Sequence, residues 1–229
     1  MKQDWNEIHK EFKHYSSDMD EILGYRIVHS LLPDLSGKTI LDYGCGDGHF
    51  AIRMANAGAK VIAVDTSSVA IRHSANNTHN NIEYHTIDED ISFLPPLDAA
   101  VANFVFCTIQ SDEIATSILK KIRSRLTTEA PFILLDPHPL APGHNYTTMR
   151  KHLTEPMKRG QPVLTELSDM TPFYDYWRST EDYIELFQQT KYSIDTIEEP
   201  MIREDPDNIW LDEKTQPPLI IIKAKKQAK

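Results

Sequence analysis

Two cysteines in 229 residues, Cys45 and Cys107, exclude a disulfide-stapled scaffold, and neither has a partner at metal-ligand spacing. No apolar run approaches the roughly 18 residues of a membrane-spanning helix. The opening residues, Met-Lys-Gln-Asp-Trp-Asn-Glu, hold no apolar secretory core. Both absences lead us to expect a cytoplasmic protein. Positive charge is scarce as well: 24 Lys and Arg stand against 34 Asp and Glu, a net charge of −10. Such a balance repels a phosphate backbone, so no nucleic-acid partner is expected. The one basic run, at 223–229, reads as a solvated tail.

What is present is an alternation of apolar runs with helical patterns. A helical pattern over 19–32 ends at Pro33 and leads to a strand at 38–43. Helices are predicted at 48–57, 67–76, 112–125 and 180–189. Strands are predicted at 60–64, 82–86, 98–106, 131–135, 192–199 and 218–223. Val-Ile-Ala-Val at 61–64 is continuous, as expected of a parallel strand covered on both faces. This rhythm predicts an α/β fold with a doubly wound, mainly parallel, seven-stranded sheet.

The divisions follow the composition. Residues 1–36 form a helical lead-in and 37–136 the α/β core. Residues 137–178 hold six prolines, three histidines and the run Phe173-Tyr174-Asp175-Tyr176-Trp177, and read as a lid over an acceptor site. Residues 179–229 supply the last helix and two strands, with 202–217 as an acidic surface excursion.

The first strand runs into Asp42-Tyr43-Gly44-Cys45-Gly46-Asp47-Gly48, and the second ends on Asp65 with Thr66 beside it. Ligands of such sheets bind where strand ends meet glycine turns. A dinucleotide site uses G-x-G-x-x-G and aims a helix N-terminus at a pyrophosphate. Here the spacing is G-x-G-x-G, with Asp42 and Asp47 around it, and acids at that place favour a cationic ligand. Asp65 is placed to accept hydrogen bonds from ribose hydroxyls.

These residues resemble the class I S-adenosylmethionine-dependent methyltransferases, which have a Rossmann-like fold, and in particular the small-molecule branch near the ubiquinone and menaquinone methyltransferases. Ile-Leu-Asp-Tyr-Gly-Cys-Gly-Asp-Gly at 40–48 resembles the first motif of that family, and Val-Ile-Ala-Val-Asp at 61–65 the second. The resemblance implies S-adenosylmethionine as cofactor. It implies that Asp42, Gly44, Gly46, Gly48, Asp65 and Thr66 hold it, with Asp88 at the adenine amino group, Ile87 or Glu89 along the ring, and Asn103 near the methionyl part. Tyr15 would close over that end. Thr127-Thr128-Glu129-Ala130-Pro131 departs from the Pro-Gly-Gly-like turn common before the fifth strand.

Methyl transfer asks mainly for alignment and exclusion of water, with a general base where the acceptor carries a proton. His138 and His144 are the candidate bases. Tyr146, Tyr174, Tyr176, Trp177 and Arg178 are candidates for the pocket of a small aromatic or amphipathic acceptor, methylated at oxygen, nitrogen or carbon. No metal is expected. An RNA or protein methyltransferase, an NAD-dependent oxidoreductase and a cofactor-binding relative without catalysis remain as alternatives.

Overall fold

The alternation of apolar runs with capped helical segments produces the sheet that it predicts. The computed structural model describes residues 3–12, 17–76, 79–88, 90–168, 170–203 and 209–227. Helix α1 (Trp5–Phe12) is followed by a π-helical turn, Asp20–Tyr25, that runs into α2 (Arg26–Leu31). Strand β1 (Thr39–Tyr43), α3 (His49–Asn56), β2 (Lys60–Asp65), α4 (Ser68–Ser74) and β3 (Ile82–Thr86) then alternate. They are followed by β4 (Ala99–Asn103), α5 (Asp112–Arg125) and β5 (Pro131–Pro137).

The helix starts are chemically marked. Ser67 and Ser111 accept hydrogen bonds from the Ala70 and Ile114 amides. A reciprocal Ser179–Asp182 capping box opens α6 (Thr180–Gln189). Strands β9 (Tyr192–Glu198) and β10 (Leu219–Lys226) complete a sheet of order β3-β2-β1-β4-β5-β10-β9. All neighbours from β3 to β5 pair parallel, and β10 runs antiparallel to both β5 and β9. Period-two alternation divides each strand between two cores. Ile40, Ile133 and Ile221 enter one, and Leu41, Leu134 and Ile222 the other.

Four boundaries differ from the sequence reading. The strand expected at 98–106 ends at Asn103, because Phe104 turns the chain at φ +58 and residues Phe106–Thr108 form a 3-10 turn. Of the basic run at 223–229, the described residues 223–227 are no free tail. Lys223 to Lys226 belong to β10, where the Lys223 and Lys226 ammonium groups donate to the Leu31 and Leu126 carbonyls. The described part of the excursion at 202–217 is anchored, since Glu213 is fully buried and accepts from the Thr147 and Leu211 amides. Finally, residues 137–178 are a small sheet rather than an irregular loop. Strands β6 (Met149–Lys151), β7 (Pro162–Leu167) and β8 (Phe173–Tyr176) pair antiparallel in that order.

The N-terminal segment ties this inserted sheet to the core. The Gln3 side-chain amide donates to the Tyr174 carbonyl at 2.6 Å and accepts from the Tyr174 amide at 2.7 Å, pairing with the β8 edge. Asn6 Oδ1 accepts from the Ser67 hydroxyl and the Val69 amide at the start of α4. Trp5 packs edge-on against Phe173, and the Ser17 and Thr148 hydroxyls lie 2.8 Å apart. No helix among the described residues is long and apolar enough to cross a membrane.

Candidate active site

Strand β1 pairs with β2 on one side and β4 on the other, so the order of strands reverses there. The two helical crossovers leave in opposite directions at such a point, and a crevice opens at the carboxyl ends of the strands. A cleft of about 500 Å³ lies at this place. Its floor is the segment from Asp42 to Asp47, with Asp65 and Thr66 from the end of β2 and Asn103 from the end of β4.

The glycines have steric causes. Gly44 has φ +73, and a Cβ there would overlap Val105 Cγ2. Gly48, at φ +82, precedes α3, and a Cβ there would lie 2.8 Å from the Tyr84 hydroxyl. These positions accept no side chain without displacing a neighbour.

Asp65 holds the loop and borders the cleft. Its Oδ2 accepts from the Gly46 amide at 2.9 Å and its Oδ1 from the Ser67 amide at 2.7 Å. A carboxylate has roughly four acceptor sites, so two remain for a ligand's hydroxyls. Asp42 is buried, and its Oδ2 has no partner among the described residues. Burial, and then the charges of Asp65 and Asp47, push its carboxyl up to about 7. Both polar atoms of the Asn103 amide are likewise buried without a partner among the described residues. Unpaired buried groups cost stability, and their concentration around one crevice marks a place where a ligand completes the hydrogen bonding.

The charge of the wall is one-sided. Asp18, Asp20, Glu21, Asp42, Asp47, Asp65 and Asp175 line the cleft, and Arg53 is the one Lys or Arg among its lining residues. Arg53 is itself paired with Glu21, at 2.6 Å. This wall repels a diphosphate and suits a cation. An S-adenosylmethionine, with its sulfonium and ammonium, fits the unpaired Asp42 and Asn103 atoms and the acidic lining.

The remaining cofactor expectations are placed unevenly. Asp88 is exposed and lies off the cleft wall, whereas its neighbour Ile87 is buried and on the wall. Tyr15 and Glu89 lie outside the described residues.

The expected acceptor residues are not on this wall. His138 is 3% exposed and both ring nitrogens are engaged: Nδ1 accepts from the Leu140 amide, and Nε2 lies 2.9 Å from Glu199 Oε1. It secures the turn after β5 and does not line the cleft. His144 pairs with Asp212 and packs beside Tyr146, whose hydroxyl donates to the Pro217 carbonyl. Trp177 donates to the Pro139 carbonyl at 2.9 Å. Arg178 is buried and clamps the chain after β4. Its guanidinium bonds the Phe106 and Ile109 carbonyls at 2.8 and 2.7 Å and Asp112 at 3.0 Å.

Tyr174 and Tyr176 lie off the cleft by parity. Successive residues of a strand face opposite sides, and on β8 the cleft takes Phe173 and Asp175. Strand β7 adds Thr165 and Leu167 at the same spacing, and β6 adds Met149. The N-terminal elements contribute Trp5, His9 and Tyr25, which sequence reasoning missed. Trp5 and His9 are one helical turn apart, and that i, i+4 spacing is the signal that would have placed them on one face. Tyr25 packs between Phe50 and Phe104, at ring-centroid distances of 5.5 and 6.1 Å, on the apolar side of the cleft.

Comparison with known proteins agrees with this geometry. Residues 14–192 match the profile of the methyltransferase domain family. A Haemophilus influenzae protein of undescribed function is 26% identical, over all of this chain and 96% of its own length. The N-demethylindolmycin N-methyltransferase of Streptomyces griseus is 29% identical, over 69% of this chain and 71% of its own. A tRNA U34 carboxymethyltransferase of Shewanella sediminis is 33% identical but covers 48% of this chain and 34% of its own. Among solved structures, a Listeria monocytogenes chain assigned as an S-adenosylmethionine-dependent methyltransferase superposes with TM-score 0.73 at 24% identity, over 93% of this chain and all of the other. With a profile covering most of its length and an acid-lined crevice at the strand reversal, this chain belongs to the methyltransferase domain family and is a class I S-adenosylmethionine-dependent methyltransferase.

Proposed function

We propose that the protein methylates a small molecule with an apolar, ring-sized body. The carrying observation is the enclosure of the cleft. One side is the cofactor floor, and the other combines Trp5 of α1, Tyr25 of the π-helical turn, and Met149 and Phe173 of the inserted sheet, with Phe50 of α3 and Phe104 after β4 completing the apolar lining. Small-molecule sites are mostly apolar concavities of this size with a few placed polar groups. The Streptomyces griseus relative, named for a small-molecule N-methylation, supports the same reading.

In this reading Asp42, Asp65 and Asn103 hold the cofactor, with the Gly44–Gly46 backbone against it and Ile87 on the wall beside it. When bound, S-adenosylmethionine supplies a methyl group on a cationic sulfur. The acids of the wall oppose loss of that positive charge from the ground state, so rate must come from alignment rather than from electrostatic strain. The residues of α1 and the inserted sheet exclude water and hold the acceptor's nucleophilic atom in line. His138 and His144 take no part in this reading, because neither borders the cleft.

The tRNA-modifying relative favours a second reading, but its match covers under half of this chain. A net charge of −10 and an acidic wall oppose a polyanionic acceptor. The two readings separate in one assay. With radiolabelled S-adenosylmethionine, label should pass to low-molecular-weight extract and not to bulk tRNA or protein. Label confined to tRNA or protein would refute the small-molecule reading.

A further inference from the structure

The inserted sheet carries one polar group at a place that packing does not require. Lys151 on β6, Thr165 on β7 and Asp175 on β8 lie next to one another across the three strands, all buried. The Lys151 ammonium pairs with Asp175 Oδ2 and donates to Thr165 Oγ1 at 2.9 Å, while the Thr165 hydroxyl donates to Asp175 Oδ2 at 3.0 Å. One carboxylate oxygen is thus fully used. The other, Oδ1, is buried and has no partner among the described residues, although Asp175 is 3% exposed and stands on the cleft wall. Asp175 also borders a separate cavity of about 20 Å³, room for about one water.

We propose that Asp175 is the acceptor-binding residue of the site: Oδ1 receives the N–H or O–H of an amine or alcohol joined to an apolar ring. The inference rests on the small-molecule reading above and narrows its substrate class. The observations converge on it independently. Phe173 and Leu167, one strand position from Asp175 and Thr165 on the same face, supply the apolar contact for the ring. Lys151 and Thr165 hold the other oxygen, so the free one is fixed in place without a ligand. A buried acceptor oxygen left open gives discrimination, because an analogue without a donor leaves it unpaired.

The reaction balances with this assignment. The acceptor's nitrogen or oxygen lone pair forms the new bond to the methyl carbon. The carbon–sulfur pair stays on sulfur and neutralises the sulfonium, giving the thioether. The proton leaves the same nitrogen or oxygen for Asp175 Oδ1, its bonding pair remaining on the methylated atom, and then passes to water. Asp175 ends as it began once the proton is released.

The test uses the full chain with saturating S-adenosylhomocysteine and three probes: phenethylamine, 2-phenylethanol and ethylbenzene. They share a ring and differ in the donor. Affinities read by ligand-observed NMR should favour both donor-bearing probes over ethylbenzene by at least about tenfold. Asp175→Ala alone would strand the Lys151 charge and endanger the fold. The informative variant is therefore the double substitution Lys151→Met with Asp175→Leu, which removes the pair together and keeps the volume apolar. It should bind the uncharged pair, 2-phenylethanol and ethylbenzene, within about twofold of each other, while the cationic amine is still drawn by the other acids of the wall. The inference is overturned if the double variant keeps the preference for 2-phenylethanol over ethylbenzene, if the native protein binds ethylbenzene as well as the alcohol, or if neither donor-bearing probe binds. Failure of S-adenosylhomocysteine to bind would instead remove the reading on which the inference stands.

Discussion

The Gly46 amide donates to Asp65 Oδ2 at 2.9 Å, so the residue proposed to hold the ribose also fixes the turn beneath it. The Ser67 amide takes the other oxygen at 2.7 Å. One carboxylate therefore joins the glycine loop after β1, the tip of β2 and the start of α4. Hydrogen bonds to a charged acceptor contribute about 1.5–3 kcal/mol each. Asp65→Ala should lower affinity for S-adenosylhomocysteine by about 100-fold or more, through the loop as well as through any direct contact. Asp65→Asn, which retains one acceptor oxygen, should lose less. Calorimetric titration of both variants measures the difference, and equal loss would separate Asp65 from the loop geometry.

Asn103 predicts a trade between stability and binding. Its amide has two buried polar atoms without partners among the described residues, and each such atom costs about 1–3 kcal/mol. Asn103→Leu removes both. The ligand-free variant should resist urea better than the native protein, by about 1–2 kcal/mol, while its affinity for S-adenosylmethionine falls. A variant weaker on both counts would show that Asn103 serves the fold instead.

The buried acids set a pH dependence whose sign follows from linkage. Burial first, then the nearby Asp65 and Asp47 charges, raise Asp42 from 3.8 to about 7 in the folded chain. Asp136, at the end of β5, is raised to about 7 by burial, against the opposing hydrogen bond from the Tyr183 hydroxyl. A carboxyl raised on folding binds more protons in the native state. Its contribution is fully present below the unfolded value near 4 and is lost as pH rises through about 7. Urea midpoints of the ligand-free protein should therefore fall from pH 5 toward pH 7.5 by an amount that Asp42→Asn reduces. Binding of a cation beside Asp42 favours its charged form, so affinity for S-adenosylmethionine should rise over the same interval in the native protein and stay flatter in Asp42→Asn.

Arg178 is a structural clamp in this fold, and its removal should show it. Its buried guanidinium satisfies the Phe106 and Ile109 carbonyls and pairs with Asp112. Arg178→Met should cost about 3–5 kcal/mol in urea unfolding, the range for breaking a buried charge cluster. An unchanged urea midpoint with an impaired acceptor KM would return Arg178 to the substrate side.

The floor of the cleft was legible and its opposite wall was not, for a physical reason. Asp42, Gly44, Gly48 and Asp65 sit on one strand–turn–helix and the next strand tip, where backbone geometry dictates residue type locally. The wall opposite the floor is assembled from α1, the π-helical turn and the inserted sheet, which are far apart in the chain. The run Phe173-Tyr174-Asp175-Tyr176-Trp177 drew attention to its bulkiest members. A strand's period of two sends Phe173 and Asp175 to the cleft and their neighbours away from it. His138 was attractive because it follows β5, but the Leu140 amide and Glu199 occupy its ring. The sheet itself was readable because Ile40, Leu41, Ile133 and Leu134 carry its pattern without regard to long-range pairing.

The central claim is that the acid-lined crevice where β1 meets β2 and β4 takes S-adenosylmethionine. Equilibrium titration of the native protein with S-adenosylhomocysteine, with NAD as the competing ligand, tests it most directly. The account predicts saturable one-to-one binding of the nucleoside thioether, undisturbed by millimolar NAD and weakened by Asp65→Ala. Absence of binding at millimolar S-adenosylhomocysteine, or displacement by NAD, would contradict it.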